Sequence, residues 1–248
     1  MSGKALILGG GGPVGIAWES GLIAGLAESG INLSDADFIV GTSAGSVVGA
    51  QIALGRTPAV LVEPFTGTGE PTPPPSESMS TPPDLSQLVA KLMESYAGVR
   101  PNEEVCREIG AWALQTSVVN EEAFVASCAI ASSCAVPGIA SPISINGRRY
   151  MDGCMRSATN ADLAKGYDVV VVVSIGSPAF PEVFRRPLDR GVLALQDSGS
   201  RVEIVRPDAE SFEAFGPIVM DFGRRPAAAA SGIRQGAAGL DTLRDLWE

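Results

Sequence analysis

Five consecutive valines, Val169 to Val173, constrain this chain more than any other stretch. Successive side chains of a strand point to opposite faces, so an unbroken apolar run must be covered on both. A central strand of a parallel sheet, with helices above and below, meets that demand. A second short run, KALIL at 4–8, ends in four glycines. Over 16–29, Ile16, Leu22, Ile23 and Leu26 fall near helical spacing, and Gly30 stands where a C-terminal glycine belongs. DFIV at 37–40 reads as another buried strand, and 46–54 as a buried helix rich in small residues. Strand, helix and strand in such short order form a βαβ unit. The expectation is a three-layer α/β fold, with a mostly parallel central sheet and helices on both faces.

Residues 66–84 are dense in Pro, Ser, Thr and Gly and predict a loop without regular structure. An amphipathic helix over 85–98 follows, with Leu85, Leu88, Val89, Leu92, Met93 and Tyr96 on one face. Further helices are expected after Pro101 and Asn102, carrying Val105, Ile109 and Trp112, and over about 121–132. Asn146-Gly147, a favoured type I′ turn pair, lies between Ile143, Ile145 and Tyr150 and predicts a β-hairpin. RVEIV at 201–205 predicts a further strand, and 226–247 a closing helix. The chain shows no internal repeat and no clean boundary. The expected organisation is one domain over 1–248, with 66–120 inserted as a lid or cap.

Composition removes several functions. The net charge is −10, and the 18 Lys and Arg residues include only isolated pairs such as Arg148-Arg149, Arg185-Arg186 and Arg224-Arg225. Nucleic-acid binding needs clustered cations, so no nucleic-acid partner is expected. Cys106, Cys128, Cys134 and Cys154 lack metal-ligand spacing, and the chain has no histidine, so neither a metal site nor a disulfide framework is expected. No secretory pattern and no spanning apolar run is read, so the expected location is cytoplasmic. Transient contact of apolar side chains with a membrane surface is compatible with this, and oligomeric state has no sequence signal.

Two motifs carry chemistry. Gly41-Thr42-Ser43-Ala44-Gly45 lies between a predicted strand and a predicted helix, where a nucleophile elbow must lie. Gly41 and Gly45 let the chain turn sharply and expose Ser43 at a helix N-terminus. The other reading of Ser43 is a helix cap in a tight turn. The run Gly10-Gly11-Gly12-Pro13-Val14-Gly15 is a literal GxGxxG after a strand, so a dinucleotide site must be weighed. That site wants an acidic residue at the end of the second strand. Here the strand ends in Val40-Gly41, Asp35 and Asp37 precede it, and Pro13 lacks an N–H. The glycines fit an oxyanion hole better, with uncovered N–H groups of Gly10, Gly11 and Gly12 facing one concavity. A right-handed crossover makes the two strands parallel, so the glycine run and Ser43 share one sheet edge. A base is still required. With histidine absent and Lys4, Lys91 and Lys165 away from that edge, Asp152 is the candidate. It ends a hairpin strand and precedes Gly153; its other role is a turn residue.

Together the glycine run at 10–15, the GTSAG elbow at 41–45 and Asp152-Gly153 resemble the patatin-like phospholipase family. AVPGIASPI at 135–143 is similar to the segment preceding that family's aspartate hairpin. The resemblance implies a Ser–Asp dyad without histidine or cofactor, with Ser43 as nucleophile, Asp152 as base and Gly10, Gly11 and Gly12 as oxyanion donors. It also implies hydrolysis of lipid or fatty acyl esters. Two positions depart from the family pattern. Val14 stands where a basic residue is usual, and Cys154 where glycine or alanine is usual. The competing reading is a non-catalytic lipid- or nucleotide-binding module built on the same glycine loop.

Overall fold

The computed structural model describes residues 3–67, 86–116, 128–176 and 182–247. Strand β1 (Lys4–Leu8) runs through the glycine run into helix α1 (Gly12–Glu28). Strand β2 (Phe38–Gly41), the Ser43 elbow, α2 (Ala44–Ala53) and α3 (Pro58–Thr66) follow. Then come α4 (Ser86–Tyr96), α5 (Asn102–Thr116) and α6 (Cys128–Ser133). The hairpin β3 (Ile143–Ile145) and β4 (Arg148–Tyr150) precedes β5 (Val169–Val173), α7 (Glu182–Asp197) and β6 (Arg201–Val205). The chain closes with α8 (Ala209–Phe215), α9 (Arg225–Ala237) and α10 (Asp241–Trp247).

The four-stranded parallel sheet has the order β2-β1-β5-β6. The valine strand is therefore internal, and all five of its residues are buried. Its side chains divide by parity. Leu6, Leu8, Val171 and Val173 pack with Trp18, Leu22 and Leu26 of α1 and Ala228 and Ala229 of α9. Ala5, Ile7, Val170 and Val172 pack with Leu188 and Leu195 of α7 on the other face. Helices thus cover both faces of a parallel sheet, as the valine run demands. The hairpin also matches its sequence signal. Asn146 and Gly147 both take positive φ, 51° and 74°, as a type I′ turn requires.

Several expected boundaries shift. Helix α1 begins at Gly12 rather than near 16, because Pro13 carries a preset φ suited to a first helical turn and needs no acceptor there. The single closing helix is two, α9 and α10, interrupted where Gly239 adopts φ 73°. Helices α3, α7 and α8 were not anticipated. Most of the proline-rich loop, 68–84, and 121–127 of the expected third helix lie outside the described residues. Among the described residues, no helix is long and apolar enough to cross a membrane.

Helices α1 and α9 meet through glycine. A Cβ at Gly21 or Gly25 would come within 3.0 Å of the α9 backbone, and one at Gly232 or Gly236 within 3.0 Å of α1. Such seams let two helix backbones approach more closely than side chains would allow. This seam fixes α1, and with it the glycine run, against the C-terminal part of the chain.

Candidate active site

Strands β1, β2 and β5 all end at one edge of the sheet, and the candidate residues collect there. The elbow after β2 is held by glycine for steric reasons. A Cβ on Gly41 would overlap the Gly45 carbonyl, and one on Gly45 would overlap the backbone of Leu8. The Gly45 N–H donates to Gly9 O at 3.0 Å, tying the elbow to the start of the glycine run. Between these two glycines Ser43 takes φ 52° and ψ −114°, a conformation few non-glycine residues adopt. It occupies the N-cap position of α2, but its side chain makes no capping hydrogen bond there. Its N–H donates to Ser133 Oγ at 2.9 Å and its carbonyl accepts from Ser46 Oγ at 2.6 Å. Ser43 is only 7% exposed.

Asp152 comes to the same place from the hairpin. Its N–H donates to Ala135 O at 3.0 Å, anchoring it beside α6. Its Oδ1 accepts from the Cys154 N–H at 2.8 Å, while Oδ2 is buried and makes no direct hydrogen bond of standard geometry among the described residues. Burial raises the carboxyl above the usual aspartate range; the Cys154 N–H, the Ser43 hydroxyl and the Cys154 thiol draw it part of the way back. Ser43 and Asp152 are thus brought together, with the serine hydroxyl acting on the carboxyl.

The three glycines differ in what they can donate. The Gly10 N–H is engaged with Ala158 O at 2.8 Å. Those of Gly11 and Gly12 make no hydrogen bond among the described residues, and neither does that of Ala44, the first residue of α2. Segment 216–221 leans on this loop. Val219 O accepts from Val14 N at 3.2 Å, and Ile218 and Val219 lie partly exposed beside it. From the other side, Leu88 of α4 and Val105 and Ile109 of α5 cluster with Met155, and Cys154 and Met151 pack against them.

Two thiols border the site. Burial pushes Cys134 up to about 11, and burial together with the Asp152 charge pushes Cys154 well above the ordinary thiol value. Both stay protonated at neutral pH and are poor nucleophiles. Asp37 Oδ2 accepts from the Lys4 N–H at 2.8 Å, at the opposite end of the sheet from the glycine run. Asp35 accepts from Asn32 Nδ2 before β2 begins, so neither acid is placed to hold a ribose at the carboxyl edge.

Residues 6–74 match the family model of the patatin-like phospholipases. The matched stretch contains the end of β1, the glycine run, the elbow and α2, and it stops well before Asp152. No curated protein matches the chain. A patatin-like phospholipase segment points to the lipid acyl hydrolases as a class, and the α/β arrangement around it is the one the resemblance implied. The sequence reading missed two supports of this edge: the Ser133 hydroxyl and the Ala158 carbonyl that takes the Gly10 N–H. No local pattern marks them, because each acts through a tertiary contact.

Proposed function

We propose that this chain is a serine acyl-ester hydrolase acting on lipid or fatty acyl esters through Ser43 and Asp152. The observation that carries the reading is the meeting of a strained serine, whose side chain does not cap its helix, with a buried carboxyl on which its hydroxyl acts. Ser43 Oγ attacks the ester carbonyl as its proton passes to Asp152. The negative charge that develops on the carbonyl oxygen is met by the N–H groups of Gly11 and Gly12, with Ala44 as a further donor. Gly10 belongs to this loop as a spacer, since Ala158 already takes its N–H. Protonated Asp152 then donates to the leaving alcohol, and water releases the acid by the reverse sequence.

The chain acts in this reading as one catalytic domain, with 66–120 as a cap. Helices α4 and α5 supply the apolar wall that faces Cys154. Val89 and Met93 of α4 are exposed and suit brief contact with a lipid surface. Ser43→Ala and Asp152→Asn test the assignment. Each should abolish turnover of a p-nitrophenyl acyl ester while leaving the thermal midpoint near that of the parent. A fluorophosphonate should add one label to the parent and none to Ser43→Ala, read by intact mass. Full turnover in either variant would overturn the reading.

A further inference from the structure

Asn160 lies in the loop between the hairpin and β5, with φ 51° and ψ 38°. Few residues other than glycine tolerate this left-handed conformation, and asparagine is among them. The side chain is buried, and all of its polar atoms are used. Arg156 Nη1 donates to Oδ1 at 2.7 Å. Arginine only donates, so this bond fixes which end of the amide is oxygen. Arg156 is itself held by Asp162 at 2.6 and 3.0 Å. The amide nitrogen then faces three acceptors: Ser157 O at 2.9 Å, Thr42 Oγ1 at 3.1 Å and Gly153 O at 3.3 Å.

Two of those acceptors have a special place. Thr42 immediately precedes Ser43, and Gly153 immediately follows Asp152. The two segments already touch, since a Cβ on Gly153 would lie 3.3 Å from Thr42 Cγ2 and 3.6 Å from Asn160 Nδ2. One amide therefore bridges the elbow to the aspartate turn without touching either dyad member.

We propose that Asn160 is the positioning residue of this site, setting the separation of Ser43 from Asp152 by holding Thr42 and Gly153 on one amide. The inference rests on the dyad reading above. Proton transfer is sensitive to small displacements, and an ångström of misplacement commonly costs about 100-fold in rate. Asn160 itself makes no contact with the reacting atoms.

Asn160→Asp keeps the shape, the tolerance for positive φ and the acceptor for Arg156, but turns a donor into an acceptor facing three oxygens. Steady-state kinetics on p-nitrophenyl butyrate should show kcat down by about 10- to 100-fold, with KM changed less than about twofold. Thr42→Val removes a single acceptor and should give a smaller loss of kcat, with no further loss when it is combined with Asn160→Asp. In an Asp152→Asn background, Asn160→Asp should leave the slow fluorophosphonate labelling of Ser43 unchanged, because the group it positions is gone. The same full loss in that background, or parent kcat in Asn160→Asp, overturns the proposal. Should Asn160→Asp fail to fold, Thr42→Val decides, and parent kcat there overturns it. Unimpaired turnover in Asp152→Asn alone sinks the dyad reading instead, whatever the Asn160 variants do.

Discussion

Substituting Gly10 by alanine tests the packing around the dyad directly. Gly10 does not adopt positive φ, so alanine meets no backbone penalty there. The obstacle is one atom. A Cβ at Gly10 would lie under 3.0 Å from Cys154 Sγ, while the next neighbours, Ser43 Cβ at 3.4 Å and Ala158 O at 3.8 Å, are at ordinary contact. Non-bonded heavy atoms prefer about 3.5–4.0 Å, so the overlap is at least about 0.5 Å. Cys154 packs against the cluster of Val105, Ile109 and Met155, which limits where its sulfur can go. Overpacking of this kind costs about 1–3 kcal/mol. For a chain of this length each kcal/mol lowers the midpoint by about 2–4 °C. Displacing Cys154 also moves the N–H that holds Asp152 Oδ1, so ester turnover should fall with stability. Cys154→Ala removes the colliding sulfur. In that background Gly10→Ala should cost less than about 0.5 kcal/mol, the limit within which uncoupled changes add. Thermal melts and p-nitrophenyl butyrate turnover on the four proteins of the cycle give the answer. An equal penalty in both backgrounds would refute the assignment of the strain to the sulfur.

Other outcomes follow from the same coordinates. Asp152 accepts a proton only when charged, and burial raises its affinity for one. Turnover should therefore fall with decreasing pH along a limb above the ordinary aspartate value, and a limb at that ordinary value would count against a buried base. Glu19 is fully buried, without a hydrogen-bond partner among the described residues, and burial raises it well above the usual glutamate range. Since its folded-state affinity for the proton exceeds the unfolded one, stability is complete below the unfolded value and declines as pH rises through the folded one. Glu19→Gln should flatten the fall of the midpoint with rising pH above the unfolded glutamate value, and an unchanged slope would rule Glu19 out as its source. Val219→Asp puts a charge on the partly exposed apolar segment beside the glycine run; it should depress turnover of long-chain esters more than of butyrate, measured as a ratio of kcat/KM values.

Much of the frame was legible because strong local signals coincide with what the fold needs. The valines demand a strand covered on both faces, and Asn146-Gly147 specifies its turn almost alone. Gly41 and Gly45 were legible as an elbow because their reason is steric and local. Helices α3 and α7 were hidden by Pro64 and Pro187, which sit inside them and interrupt the pattern that marks a helix. In α9 the buried face is alanine, glycine, serine and Gln235, so it gives little hydrophobic contrast. At the site, residue types and order suggested Ser43 and Asp152 together. Neither the engagement of the Gly10 N–H by Ala158 nor the bridge through Asn160 was legible, since both depend on where a distant loop comes to rest.

The glycine seam between α1 and α9 has a consequence for how the molecule can be cut. The stretch that matches the phospholipase family ends at residue 74, yet the helix at its heart leans on backbone more than 200 positions downstream. Its first strand likewise needs the valines for a neighbour. A fragment stopping at 74 would leave α1 with a bare apolar flank and β1 with an open edge. The elbow and the glycine run thus take their rigidity from helices far along the chain, so removing α9 and α10 should unseat them as surely as a cut at residue 74.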